Sequence, residues 1–98
     1  MNTINTYKKE NCLNVTVHGF FNLYTKKRIM SHITPGITKM CIHLNNCDLI
    51  DSEGVIFLHR WMDSGNELEI SKPPAILYEI LDVLELTGSW NLEEMITH

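Results

Sequence analysis

No Cys-x-x-Cys pair occurs in this chain, and its three cysteines, Cys12, Cys41 and Cys47, are odd in number and far apart. That arrangement indicates neither a disulfide framework nor a zinc site, so reduced thiols are expected. The five histidines, His18, His32, His43, His59 and His98, lack ligand spacing, and no metal or cofactor is expected. No apolar run approaches membrane-spanning length, and residues 1–9 lack the apolar stretch of a signal peptide, which predicts a cytoplasmic protein without membrane insertion. Basic residues gather only at Lys8-Lys9 and Lys26-Lys27-Arg28, against a net charge of -4. This balance argues against a nucleic-acid or anionic-membrane partner. A glycine-rich phosphate loop is missing, as is any histidine in the local motif of Ser52, so no catalytic residue is assigned and an enzyme is not indicated.

What is present suits one ordinary globular domain over residues 1–98, with 44% apolar residues. Ile4 to Lys8 predicts an edge strand, and Glu10-Asn11 a turn. Leu13, Val15 and Val17 alternate with Asn14, Thr16 and His18, the period of a half-buried strand that Gly19 closes. Leu23, Ile29, Met30 and Ile33 are spaced for one face of a helix that Pro35-Gly36 stops. Lys39 to Leu44 alternates again and predicts a central strand, with His43 as a partly buried structural side chain. A further strand is expected at Leu68 to Ile70. A third helix has Pro74 in its first turn, a wide apolar face of Ile76, Leu77, Ile80, Leu81, Val83 and Leu84, and an end at Thr87-Gly88. Trp90 to Ile96 reads as a last short helix or a frayed end. Strands alternating with helices predict an α/β layer.

Between the apolar pair Leu49-Ile50 and the run Val55 to Met62 stand Asp51-Ser52-Glu53-Gly54. Asp51 or Ser52 suits a helix N-cap, and a hydroxyl at a helix mouth is a reasonable phosphate acceptor, because free N–H groups and the helix dipole favour added negative charge. At 100° per residue, Gly54, Val55, Leu58, Trp61 and Met62 gather on a core face. Ser52, Glu53, Ile56, Arg60 and Asp63 gather opposite, so Ile56 is an apolar residue among polar ones, one turn beyond Ser52.

The segment Ile42 to Val55, with Asp51-Ser52-Glu53-Gly54 opening a helix, resembles the core signature of the STAS family, the sulphate-transporter and anti-sigma-factor-antagonist domain. Val83-Leu84-Glu85-Leu86-Thr87-Gly88 is similar to the end of that family's third helix, and Val15-Thr16-Val17-His18-Gly19 to its second strand. The resemblance implies a mixed sheet of four or five strands with helices packed mainly on one face. It also implies a phosphorylation-controlled regulatory binding protein like an anti-sigma factor antagonist, which captures and is switched by a serine kinase of the anti-sigma-factor kind and is reset by a phosphatase, with Ser52 the phosphorylated residue. The partner surface implied is Asp51, Ser52, Glu53, Ile56 and Asn22, on a monomer. The alternative is an accessory subunit docking on the ATPase of a lipid transporter. Three departures accompany the match: Asn22 stands where an acidic residue is common, His43 where an aspartate is common, and Glu53 where a second hydroxyl is usual.

Overall fold

Apolar alternation in three strands builds the sheet that carries everything else. The computed structural model describes residues 3–97. Strand β1 (Thr3–Lys9) pairs antiparallel with β2 (Cys12–Phe21), placing Ile4 opposite Val17. Strand β3 (Lys39–His43) runs parallel to the first half of β2, and β4 (Cys47–Ile50) pairs parallel with its last residues. Strand β5 (Glu67–Ser71) lies parallel to β3, and β6 (Ile96–Thr97) parallel to β5, so the order is β1-β2-β3-β5-β6 with β4 on β2. The helices are α1 (Leu23–Met30), α2 (Ser52–Asp63), α3 (Ile76–Val83) and α4 (Leu92–Met95), with a 3-10 turn at Thr87–Ser89. The α/β class and mixed sheet are as expected, and two short strands, β4 and β6, bring the sheet to six.

One face of the sheet is the core. Leu13, Val15, Val17, Met40, Ile42 and Ile70 are fully buried beneath Ile29 of α1, Val55 and Leu58 of α2, and Leu77 and Leu81 of α3. Full burial of each such side chain stabilises by about 1.5–3 kcal/mol before entropy is counted. The opposite face is polar and half-buried, with Asn14, Thr16, Cys41, His43 and Glu69 along it. Burial, with hydrogen bonds to Cys12 and Glu69, pushes the Cys41 thiol up to about 12.

Several local expectations change. Helix α1 ends at Met30, and it buries Thr25 and Ile29, one turn apart, while Leu23 and Met30 are exposed. Ile33 packs on the core from the turn that follows, where its N–H donates to Met30 O. Strand β2 continues past Gly19, which adopts φ +88° and bonds Asn46 O, so glycine there redirects the strand without ending it. Helix α3 starts after Pro74, whose carbonyl accepts from Leu77 N–H, and it ends at Val83. Its stop is a Schellman turn, not Thr87-Gly88: Leu86 N–H donates to Leu81 O at 2.8 Å, Glu85 N–H to Asp82 O at 3.0 Å, and Glu85 takes φ +59°. Val83 points away from the core and is 80% exposed. The tail is ordered structure, since β6 pairs with β5 and Trp90 and Met95 are buried.

Candidate functional site

Two neighbouring strands end in step, and each hands the chain to a helix through a capping side chain. Phe21 of β2 pairs with Ile50 of β4, so Asn22 and Asp51 follow side by side. Asn22 is extended and its Oδ1 accepts from Thr25 N–H at 3.2 Å, opening α1. Asp51 is extended and its Oδ1 accepts from Gly54 N–H at 3.1 Å, opening α2. Both caps satisfy donors that the first helical turn leaves without partners. The two junctions are joined directly, because Asp51 N–H donates to Phe21 O at 3.2 Å. Thr25 locks the α1 side from within: it is buried, and its Oγ1 donates to Phe20 O at 2.6 Å.

Gly54 explains how closely α2 sits on these strand ends. A Cβ on it would lie 2.9 Å from Ile50 Cγ1, from Phe21 Cδ1 and from Phe21 O. Only a glycine allows that approach, as the helical wheel predicted for the core face. Phe57, which the wheel left unassigned, is also buried and meets Phe21 ring to ring at 6.2 Å.

Ser52 is therefore the first helical residue of α2 and is exposed. The free N–H groups and dipole of this helix favour negative charge at that place. Glu53 is exposed beside it and its Oε2 lies 3.6 Å from Lys26 Nζ of α1, a surface ion pair of small energetic weight. Ile56, expected to stand among the exposed polar residues, is half-buried one turn further on. The structure thus gathers Asn22, Asp51, Ser52 and Glu53 at one end of the sheet, with Asn22 and Asp51 engaged as caps and Ser52 and Glu53 open to solvent.

The sequence reading missed an apolar rim around this end. Phe20 and Leu49 are cross-strand partners and are 47% and 45% exposed. Leu23 and Tyr24, in the first turn of α1, are exposed as well. The available signal was the pair of apolar doublets, Phe20-Phe21 and Leu49-Ile50. Neighbouring strand residues face opposite sides, so one member of each doublet had to point outward.

No group of three His, Cys, Asp or Glu residues is placed to hold a metal ion among the described residues, and no helix there is long and apolar enough to cross a membrane.

No family model and no curated protein sequence matches the chain. Solved structures do. The anti-sigma factor antagonist SpoIIAA in its unphosphorylated form superposes with a TM-score of 0.70 at 10% identity, over 97% of this chain and 86% of that one. The Bacillus cell fate determinant SpoIIAA in the phosphorylated form gives 0.72 at 10% identity, over 97% and 89%. A sulfate transporter family protein from Wolinella succinogenes gives 0.64 at 15% identity, over 92% and 79%. The fold is that of these STAS structures.

Proposed function

We propose that this chain, which shares the STAS fold, is a cytoplasmic regulatory domain that binds a protein partner through the α1–α2 end of its sheet and is switched by phosphorylation of Ser52. The observation carrying this reading is the placing of Ser52: an exposed hydroxyl on the first residue of α2, at the sheet end where the strands carrying exposed Phe20 and Leu49 finish, and one turn from Ile56. An apolar rim favours docking, because removing it from water contributes about 25 cal/mol per Å². A phosphate brings about -1.5 to -2 charges at neutral pH. Within the domain the helix N-terminus offsets part of that cost, so the fold persists. At the partner surface, Asp51 and Glu53 are already acidic, and a hydrated phosphate among them opposes docking by repulsion and by desolvation. SpoIIAA has been solved in unphosphorylated and phosphorylated forms, and both superpose on this chain to a similar extent. That likeness supports a fold able to carry either state.

The partner is proposed to be a serine kinase that also acts as the captured protein, opposed by a phosphatase. Two of the structures similar to this chain are of the anti-sigma factor antagonist SpoIIAA, and by that likeness we assign Ser52 as a substrate residue of that kinase, not as a nucleophile of the chain's own. Affinity capture from the native cell tests the reading. Ser52→Asp should release the captured kinase while keeping the wild-type circular dichroism spectrum, and Ser52→Ala should hold it constitutively. Equal capture by both variants, or phosphate mapped only to other residues, refutes the switch.

A further inference from the structure

The open face of the sheet carries a second group of reactive side chains, remote in sequence and brought together by strand pairing. Asn14 of β2, Cys41 of β3 and Glu69 of β5 share one row, and Cys12 lies opposite Lys39 in the next. Cys12 Sγ and Cys41 Sγ are 3.5 Å apart although the residues are separated by 29 positions. Cys41 Sγ donates to Glu69 Oε2 at 3.3 Å, and Asn14 Nδ2 donates to Cys12 Sγ at 3.7 Å. Lys39 Nζ lies 3.5 Å from the same Glu69 oxygen. A cavity of about 370 Å³ belongs to the α1–α2 groove, whereas a smaller one of about 240 Å³ opens beside Cys41, with Asn14, His43, Glu69 and Ser71 in its walls.

We propose that Cys12 and Cys41 together bind one thiophilic d10 cation, Cu(I), on this face. Two thiols in contact admit three outcomes, and the geometry separates them. A disulfide is disfavoured, because the two residues are diagonal neighbours on adjacent strands. With parallel strands about 4.8 Å apart and a rise of about 3.3 Å per residue, such Cα atoms lie about 8 Å apart, beyond the roughly 4.4–6.8 Å that the bond spans. Zinc is disfavoured, because it takes four ligands, whereas the one further ligand group beside this pair among the described residues is the Glu69 carboxylate, a hard oxygen ligand already engaged by Lys39 Nζ at 3.5 Å. A soft ion that thiolates select and that needs only two of them fits what is there. With metal–sulfur bonds of about 2.3 Å, sulfurs at this separation already subtend an angle of about 100° at a bridging ion. Rotation of Cys12, the first residue of its strand, opens that angle further. Binding releases both thiol protons to solvent, Cu(I) plus two thiols giving a bis-thiolate complex of charge -1 and two protons. The Lys39 ammonium, beside Glu69, offsets that added charge. The spacing along the sequence concealed the pair, since neither cysteine has a neighbouring ligand.

Anaerobic titration of the reduced full chain with the coloured Cu(I)–bicinchoninate complex tests the assignment. The wild type should withdraw one equivalent of copper, and Cys12→Ser and Cys41→Ser should each lose that capture. Cys47→Ser should keep it, because Cys47 is buried elsewhere with its thiol donating to Leu49 O at 3.3 Å. Should a serine variant misfold, alkylation mapping of the wild type at about pH 10, where the free Cys41 thiol labels faster, decides alone: copper should protect Cys12 and Cys41 and leave Cys47 labelling unchanged. Failure to withdraw copper, capture that survives in both serine variants, or zinc taken from its chelator as readily as copper overturns the proposal. None of these results depends on Ser52.

Discussion

Gly54→Ala should weaken the fold even though alanine is the better helix former. Gly54 is helical, so space decides the outcome and not backbone conformation. The new methyl would meet Ile50 Cγ1, Phe21 Cδ1 and Phe21 O, each at 2.9 Å. Carbon contacts are favourable at about 3.5–4.0 Å, so the methyl sits more than half an ångström too near atoms of two strands. Relief is hard to find. The Ile50 and Phe21 side chains are fully buried, and Phe21 O is held by the Asp51 N–H. Overpacking costs about 1–3 kcal/mol, while exchanging glycine for alanine in a helix returns about 1 kcal/mol. With three clashes and one of them a backbone oxygen, a net loss of about 1–2 kcal/mol is expected, which is about 4–15 °C in Tm for a domain of this size. Gly54→Leu should lose more. Urea denaturation followed by circular dichroism measures the difference at equal protein concentration. An alanine variant as stable as the wild type would refute the close seating of α2 on the strand ends, and with it the placing of Ser52.

Ile56→Asp should reduce capture of the partner severely while costing the isolated domain about 1 kcal/mol, because the side chain is half-buried; unchanged capture with a large stability loss would make Ile56 a core residue. Glu85→Gly should stabilise by about 0.5–1 kcal/mol, since Glu85 holds φ +59° at the position where a Schellman turn favours glycine; a thermal melt with no gain would show that Glu85 makes a compensating contact. Cys41 should resist alkylation at pH 8, because its thiol is pushed up to about 12 and thiolate is scarce until far higher pH. Its labelling should accelerate as pH rises from 8 to 10, and labelling already complete at pH 7 contradicts the burial that raises it.

Strands whose pattern alternates were legible in the sequence. Leu13, Val15 and Val17 of β2, and Met40 and Ile42 of β3, are buried as their period requires. The Asp51 cap and the core seat of Gly54 were legible for the same reason: each rests on chemistry within one or two turns of its own residue. Strand β4 was not legible. Its residues are buried, exposed, exposed and buried in turn, and the pairing steps from Gly19–Cys47 to Phe20–Leu49 with Asp48 as the extra residue. A bulge of this kind breaks the period from which strands are read. Val83 was misplaced because the apolar face of α3 was drawn too wide: at 100° per residue Val83 falls about 160° from Leu81 and about 120° from Leu77, the two residues that the helix buries. The apolar rim and the Cys12–Cys41 contact depend on which strands become neighbours, and no local pattern states that.

The Phe21 carbonyl makes the entrances to α1 and α2 one mechanical unit. It accepts the Asp51 N–H, touches the empty face of Gly54, and belongs to the residue immediately before the Asn22 cap. A protein pressing on Leu23 and Tyr24 cannot tilt the start of α1 without straining the oxygen on which α2 is anchored. Contact at one helix is thereby felt at the hydroxyl of the other, within a single peptide group and without any hinge. The Asp51 amide is a natural reporter of this linkage: its exchange with solvent deuterium should be slow in the free domain, and should change when a ligand touches only α1.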